Sequence, residues 1–507
     1  GNEPGFLRIW QRFCPYIPAL YWSAWAIAII ILGIFQPIAA FSLCLFTAAW
    51  TAFEHIRCCF FGAYGLARVL KHDTATLREK PLTREADEVR HVVFIASYKE
   101  DLEVLDMLLT SLALQEGGKT KRSDGKTYAQ NHIGAVLCME EREGQSAKHQ
   151  SKELTKKFGD QLLFLQTVYH PDGLAGHVQG KGSNIHWACE TIKSKMVNMS
   201  QRASIMVSVA DADSEYDLQY FAVLAETYGK SDADARDAVI YQPSILQVKN
   251  YFRQPILIRA TSALCSIAAI AYVEDNIVPG YPFSTYSMSL DLLVRIGQWD
   301  ADFIADDWHS GNKAFLADPV NAKVVHVPLP IVNYSVECET VWKSCMARWH
   351  QAKRHALGAE ELVYFLQMLP VVHHRIMNYP DTWHDDGKKG SAYDTTWTVL
   401  QFWLHGMRHF LWMAGVHLRM ANFCTELFFT AVFFLGLLAQ SYGLAKSTGI
   451  QWPLVNNGDT VASVLAHPIF EWLLALTILN ACMVPVIILF AISITSPRWM
   501  REVHRLF

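Results

Sequence analysis

Five short polar clusters hold the residues whose types and spacing could do chemistry. They are Ser97-Tyr98-Lys99-Glu100-Asp101, Glu140-Glu141-Arg142-Glu143, Gly180-Lys181-Gly182-Ser183-Asn184, Asp211-Ala212-Asp213 and Asp306-Asp307-Trp308-His309. Asp211 and Asp213 are paired carboxylates, the oxygen ligands that hard cations such as Mg²⁺ or Mn²⁺ take. The small residues around Lys181 precede a helical pattern, and such a helix start offers backbone N–H groups to an anion. Lys181 adds a point charge suited to phosphate. The spacing is not that of a P-loop. Taken singly, each cluster has a plain alternative. An Asp at a strand end is about as often a helix cap or a turn, and Gly180–Asn184 reads equally as a flexible turn with a surface lysine. Clusters in order after successive strands are harder to explain as turns.

The elements that must position them are legible as alternation. Residues 91–97, 133–139, 161–168 and 203–210 are apolar runs of strand length, and 102–115 and 184–197 have helical periodicity. Strand–helix alternation predicts an α/β domain, a mostly parallel sheet with helices on both faces. Ligands on such sheets sit beyond the carboxyl ends of the strands. Four of these clusters, together with His170-Pro171, fall there.

Charge is distributed unevenly. Of the 507 residues 51% are hydrophobic and only 18% charged, with a net charge of −4. That balance excludes collagen, disorder and coiled coil, and argues against nucleic acid, which leaves a basic footprint. From Phe13 to Phe53 no Asp, Glu, Lys or Arg occurs in 41 residues, about twice the roughly 20 that span a bilayer. Gln36-Pro37 breaks the run, so two spans near 18–35 and 38–55 are expected. Residues 427–445 and 472–497 read as two more. The stretch 393–424 reads as one interfacial helix or a distorted hairpin, and Glu361–Pro370 as a short interfacial helix. Basic residues follow the first hairpin (Arg57, Arg68, Lys71, Arg78, Lys80, Arg84) and fill the tail (Arg498, Arg501, Arg505). The positive-inside rule then puts both termini and the middle of the chain in the cytosol. Eleven cysteines form no zinc spacing or disulfide framework and are expected to be mostly reduced and buried. His405 and His409 fall at i, i+4 without a nearby third ligand and read as interfacial rather than metal-binding.

The ordered set SYKED, MEERE, GKGSN, DAD, YPFSTYS, GQWD, ADDWH and QAKRH resembles the membrane-embedded family 2 glycosyltransferases, relatives of cellulose, chitin and hyaluronan synthases. The resemblance covers roughly residues 90–360, with membrane helices on both sides. It implies a GT-A nucleotide-sugar-binding domain inserted between transmembrane helices. The domains are then an N-terminal hairpin (1–56), a cytosolic transferase domain (57–350), interfacial helices (351–425) and C-terminal spans (426–507).

What the resemblance implies for single residues follows motif by motif. Tyr98 and Glu100 would meet the donor base, with Glu140 or its neighbour Glu141 completing the nucleoside pocket where the family usually has Asp; a solvated charge run is the plain alternative. Lys181, Asn184 and Asp211 belong to donor binding, with Asp213 and Asp211 holding Mg²⁺ or Mn²⁺. Asp307 would take the acceptor proton as general base. Asp306, its partner, stands where the family usually has Glu. Gln351 and Arg354 match QxxRW and would bind the diphosphate, while His355 replaces its Trp. Ser284, Thr285, Tyr286, Trp299, Trp308 and His355 would face the acceptor, although core packing suits the aromatic ones equally. The expected activity is inverting transfer of a sugar, from a UDP-sugar by family habit, to a growing polysaccharide at the membrane. Single-sugar transfer to a lipid, or a non-catalytic membrane scaffold that kept the fold, are the alternatives. Expected partners are the donor, the acceptor, membrane lipids and a homo-oligomer or membrane complex, with no nucleic acid.

Overall fold

The computed structural model describes residues 5–71, 80–118, 124–232, 235–275, 280–356, 358–378 and 399–415, with isolated positions beyond. The spans expected at 427–445 and 472–497, apart from isolated positions, and the basic tail lie outside the described residues. Two compact units divide the chain. Among the described residues one holds 5–59, 358–378 and 406–415, and the other 60–356 and 399–405.

In the first unit, α1 (Gly5–Phe13) leads into α2 (Ile17–Phe35), and α3 (Pro37–Lys71) begins after one residue. The break falls at Gln36, whose φ of −143° is not helical, because Pro37 cannot continue the helix before it. Among the described residues two helical stretches, Gly5–Gly33 and Ile256–Glu274, are long and apolar enough to cross a bilayer. In the first, 11% of the most apolar window is buried; in the second, 56% is. The interfacial segment expected at Glu361–Pro370 is longer: one helix, Ala359–Asn378, runs through Pro370. Its buried stripe of Leu362, Phe365, Leu369, Val372 and Ile376 explains why the proline does not end it. It is tied to α1 by Trp10 Nε1 donating to Leu366 O at 2.8 Å.

The second unit is built on one eight-stranded sheet. Its strands are β1 (Val89–Ala96), β2 (Ile133–Glu140), β3 (Phe164–His170), β4 (Ser204–Asp211), β5 (Glu215–Tyr216), β6 (Val239–Gln247), β7 (Tyr286–Ser289) and β8 (Lys323–Asn333), in the order β3-β2-β1-β4-β7-β6-β8-β5. The half from β3 to β4 is parallel, as expected. In the other half β6 and β8 are parallel to each other and run with the first four, so six of the eight strands share one direction and the sheet is mostly parallel, as expected, with two antiparallel members. β7 runs antiparallel to both neighbours and β5 antiparallel to β8.

Alternating side chains of the parallel half feed two cores. Val93, Ile95, Leu137 and Met139 pack beneath α4 (Leu102–Ala113), α5 (Gln145–Phe158) and α7 (Tyr220–Lys230). Val92, Phe94, Val136 and Cys138 pack beneath α6 (Lys181–Ser200). A third cluster seats α8 (Ile256–Glu274) through Ile267 and Ile270 on Leu66, Leu246 and Val332. Two boundaries shift. β3 starts at Phe164, because Gln161 is still bonded back to Phe158 in the turn after α5. α6 starts at Lys181 rather than Asn184, so Gly180-Lys181-Gly182-Ser183-Asn184 is a helix start and not a loop ahead of one. Further helices of this unit include α9 (Asp306–Ala317) and α10 (Val341–Ala356); α11 is Ala359–Asn378 of the first unit. No disulfide occurs among the described residues; Cys265 and Cys338 are exposed, the rest buried or half-buried.

Candidate active site

The carboxyl ends of β1, β2 and β3 and the start of α6 form the first part of the site. Tyr98 is 37% exposed, and the Arg142 guanidinium lies 3.9 Å from its ring centroid. Lys99 sits at φ 58°, a strained position for a non-glycine residue. Its N–H donates to Glu143 Oε2 at 2.7 Å, which locks the turn. Glu140 is 5% exposed and is held by an ion pair from Arg142 and by Asn184 Nδ2 at 3.3 Å. Asn184 Oδ1 is buried with no hydrogen-bond partner among the described residues. Such an orphan acceptor points to an absent donor. Beside them a small pocket of about 60 Å³ is lined by Glu140, Arg142, His170, His177, Gln179 and Ser183. His170 and His177 share a 2.9 Å hydrogen bond, and burial, then the neighbouring imidazole, keeps His170 below the ordinary histidine range.

The second part is a cluster of carboxylates around one ammonium. Lys181 Nζ lies 2.7 Å from Asp211 Oδ1 and 4.0 Å from Asp306 Oδ2, and also donates to Ser284 O. Burial opposes the charge on Lys181, yet Asp211, Asp306 and Asp307 outweigh it and raise its pKa. Burial likewise pushes Asp211 up, but Lys181 holds it below the ordinary value. Asp307 is oriented by two backbone amides: Ser284 N donates to Oδ2 at 2.9 Å and Trp308 N to Oδ1 at 2.8 Å. Asp306 is 8% exposed and receives the Tyr286 hydroxyl at 3.3 Å, while Trp299 Nε1 donates to that hydroxyl at 2.8 Å. Burial raises both carboxyl groups against the pull of Lys181. The loop 300–305 is pressed onto the start of α6: a Cβ on Gly182 would stand 2.7 Å from Phe303 O. Asp300 anchors that loop to α9 through His309 Nε2 at 2.7 Å and Lys313 Nζ at 2.8 Å.

The third part surrounds Asp213. Asn333 Nδ2 donates to its Oδ1 at 3.1 Å and Tyr334 N to its Oδ2 at 2.8 Å. Lys249 does not pair with this carboxylate; it donates to the Asp213 carbonyl at 2.8 Å and pairs with Glu215 at 3.2 Å. Burial, then Asp211, pushes the Asp213 carboxyl up to about 6. Glu100 is raised by burial and by Asp213 and its neighbours, which places it in the same field of negative charge.

The structure therefore brings Tyr98, Glu100, Glu140, Asn184, Lys181, Asp211, Asp213, Ser284, Asp306 and Asp307 to one end of the sheet. It does not bring all the expected residues there. Thr285, Tyr286 and Trp299 are 1%, 1% and 2% exposed, so they support the floor of the site and offer no surface to an acceptor. Tyr286 and Trp299 act on Asp306 from below. Trp308 is half-buried and stacks on Tyr281 at 4.8 Å between ring centroids. Gln351 accepts from Arg348 at 2.6 Å, and Arg354 is exposed on α10; among the described residues neither pairs with the acids. The side chain of His355 lies outside the described residues. His177, Lys249 and Asn333 escaped the sequence reading, while Arg142 and His170 were placed at strand ends but given no role. Arg142 was legible, as a cation two residues beyond a strand-ending acid; Lys249 and Asn333 reach Asp213 from β-strand ends far along the chain and leave no local signal.

Asp211 and Asp213 offer two hard oxygen donors among carboxylates that outnumber the nearby ammonium of Lys181, while no group of three or more His, Cys, Asp or Glu ligands occurs among the described residues. That fits a Mg²⁺ or Mn²⁺ ion held by one or two carboxylates and completed by substrate phosphates.

No known family model matches the chain, and no curated protein does. Among solved structures, the mannosyltransferase PcManGT from Pyrobaculum calidifontis, in complex with GDP-Man and Mn²⁺, is similar at a TM-score of 0.37 and 13% identity, over 87% of this chain and 99% of that one. GalNAc-T7 with UDP, GalNAc and Mn²⁺ is similar at a TM-score of 0.31 and 9% identity, over 64% of this chain and 56% of that one. Likeness at this level assigns no chemistry to this chain.

Proposed function

We propose that this chain is an inverting, metal-dependent glycosyltransferase of the family 2 type, moving a sugar from a nucleotide-diphospho-sugar to a polysaccharide acceptor at a membrane. The observation that carries this is the gathering of Lys181, Asp211, Asp213, Asp306 and Asp307 at the strand ends, next to an aromatic and carboxylate pocket under Tyr98. A nucleoside needs a ring face and hydrogen-bond acceptors; Tyr98, Glu100 and Glu140 supply them. A leaving diphosphate needs cations; Lys181 is one. A divalent ion on Asp213 and Asp211 would neutralise charge on that leaving group.

Inverting transfer requires the acceptor oxygen to attack the anomeric carbon while a base removes its proton. Asp307 suits this, because both oxygens are fixed by backbone amides yet each keeps a lone pair. Its raised pKa brings its basicity toward neutral pH, where a general base works best. The UDP identity of the nucleotide and the cytosolic placement of residues 57–350 rest on the motif resemblance and on the basic flanks of the first hairpin.

The test is a purified-chain assay against a panel of UDP- and GDP-sugars that reads nucleotide release, with product size separating polymer from glycolipid. Release with one donor supports the proposal. No release with any donor overturns it in favour of a non-catalytic scaffold.

A further inference from the structure

We propose that Lys181 is the resident counter-cation of Asp211, and that a divalent ion entering at Asp211 and Asp213 has to displace it. The inference rests on the metal-dependent function proposed above and adds a second role for the lysine. The Lys181 ammonium has oxygens for its polar neighbours: Asp211 Oδ1 at 2.7 Å, Asp306 Oδ2 at 4.0 Å and the Ser284 carbonyl. That is the surrounding a hard cation seeks. The two acids of the pair differ in this respect. Asp213 is held by neutral donors, Asn333 and the Tyr334 amide, and the nearby Lys249 is turned to its carbonyl and to Glu215. Asp213 is thus open to a cation and Asp211 is already taken.

Lys181 is the first residue of the 20-residue helix α6, where the positive end of the helix dipole disfavours an ammonium. The acids and the Ser284 carbonyl hold it there. The helix start itself cannot back away, because Gly182 is packed against the Phe303 carbonyl. Displacement must therefore be a side-chain rotation, and the Lys181 side chain is 20% exposed, so it has a way out. Release leaves a free ammonium at the mouth of the site just as the ion arrives. Cation and anionic donor are then coupled: each ion bound frees a positive charge for the diphosphate, and by linkage the donor should tighten the ion equally.

The test is Mn²⁺ binding to the purified full chain, read by electron paramagnetic resonance without nucleotide. Lys181→Met should bind Mn²⁺ more tightly than the parent by at least about fivefold, the upper value for an exposed ion pair, since this pair is largely covered. Lys181→Arg, which keeps the charge, should stay near the parent. In the parent, Mn²⁺ should increase acetylation of Lys181, measured by peptide mass spectrometry; this readout needs no variant to fold. If the parent binds Mn²⁺ in an Asp213-dependent manner but Lys181→Met is unchanged or weaker, or if Lys181 acetylation does not respond, the counter-cation role is overturned while metal binding stands. If Asp213→Ala binds Mn²⁺ as the parent does, the metal assignment fails and this inference falls with it.

Discussion

Replacing Asp307 by Asn separates chemistry from donor binding. The change is nearly isosteric but removes the base, and loss of an acid–base catalyst costs about 10²–10⁴-fold in rate. The structure adds a second effect. Asp307 accepts from two backbone amides, Ser284 N and Trp308 N. An Asn has one carbonyl oxygen, so one amide would face an NH₂ group and lose its acceptor. Leaving a buried donor unsatisfied costs about 1–3 kcal/mol. Against a typical stability of about 5–15 kcal/mol the protein stays folded. Unfolding then accounts for little of the lost rate, and the remainder belongs to the missing base. Nucleotide affinity should change little, because the Lys181–Asp211 pair does not use either Asp307 oxygen. The assays are turnover by nucleotide release and UDP binding by calorimetry, with a melting curve to check the expected stability loss. Transfer at the parent rate would refute the assignment of Asp307. Loss of UDP binding as severe as in Asp213→Ala would make Asp307 a donor or metal residue and Asp306 the better candidate for the base.

Asp213→Ala should abolish metal-dependent donor binding, and a chelator should do the same in the parent; unchanged turnover in chelator would sink the metal assignment. Asp300 is held at about 2, against burial, by His309 and Lys313, below the unfolded value near 3.9. A depressed carboxyl contributes stability above the unfolded pKa and loses it as pH falls through the folded one. Asp300→Asn should therefore lower the melting temperature at pH 7 by the equivalent of about 1 kcal/mol after screening, and the difference should vanish near pH 2; an equal gap at both pH values would show the loss is not ionic. Arg354→Ala should leave UDP affinity nearly unchanged, since Arg354 is exposed away from the acids; a loss of about tenfold would show that α10 reaches the donor. Protease added to sealed, cytosol-side-out vesicles should cut within 90–350 and spare 446–471, and the reverse pattern would overturn the orientation.

Where the site was legible, each residue ended a strand or opened a helix. The runs before Tyr98, Glu140 and Asp211 are mainly apolar, interrupted by the buried Ser97 and Ser208, because parallel strands are buried on both faces. The first polar residue after such a run must emerge at the sheet's carboxyl edge. That logic places Asp211 and Glu140 without any structure. It fails for β7, whose four residues Tyr286–Ser289 alternate with two serines as a half-exposed strand would, yet all four are buried. Ser287 pairs inside the sheet with Ser208 at 2.7 Å and Ser289 accepts from Leu292 N at 3.1 Å, so polarity there marks buried hydrogen bonds and not a surface. The same blindness made Tyr286 and Trp299 look like acceptor contacts. A tyrosine hydroxyl that must reach a carboxylate and one that must reach a sugar have the same sequence signature; only burial tells them apart.

The charge balance of the site explains why its two lysines are placed as they are. Glu100, Asp211, Asp213, Asp306 and Asp307 lie close together: burial first, and then neighbouring acids of this group, raise the carboxyl groups of Glu100, Asp213, Asp306 and Asp307. Lys181 meets the pair of sites at Asp211 and Asp306, while Lys249 stands behind Asp213 on its carbonyl side. Neither arrangement leaves spare positive charge for an incoming diphosphate. A site with this excess of carboxylates would repel its own donor unless a cation came with it or one already present were released. Both needs converge on Asp211. It is the one acid whose ionised form is secured in the free protein, by an ammonium that also has the reach to leave. An all-lysine solution would bind the donor without an ion, and an all-carboxylate one would bind an ion too tightly to release the diphosphate on it. The lysine among the acids lies between these extremes, so on the function proposed above Lys181 is the residue that would set donor affinity and ion affinity jointly.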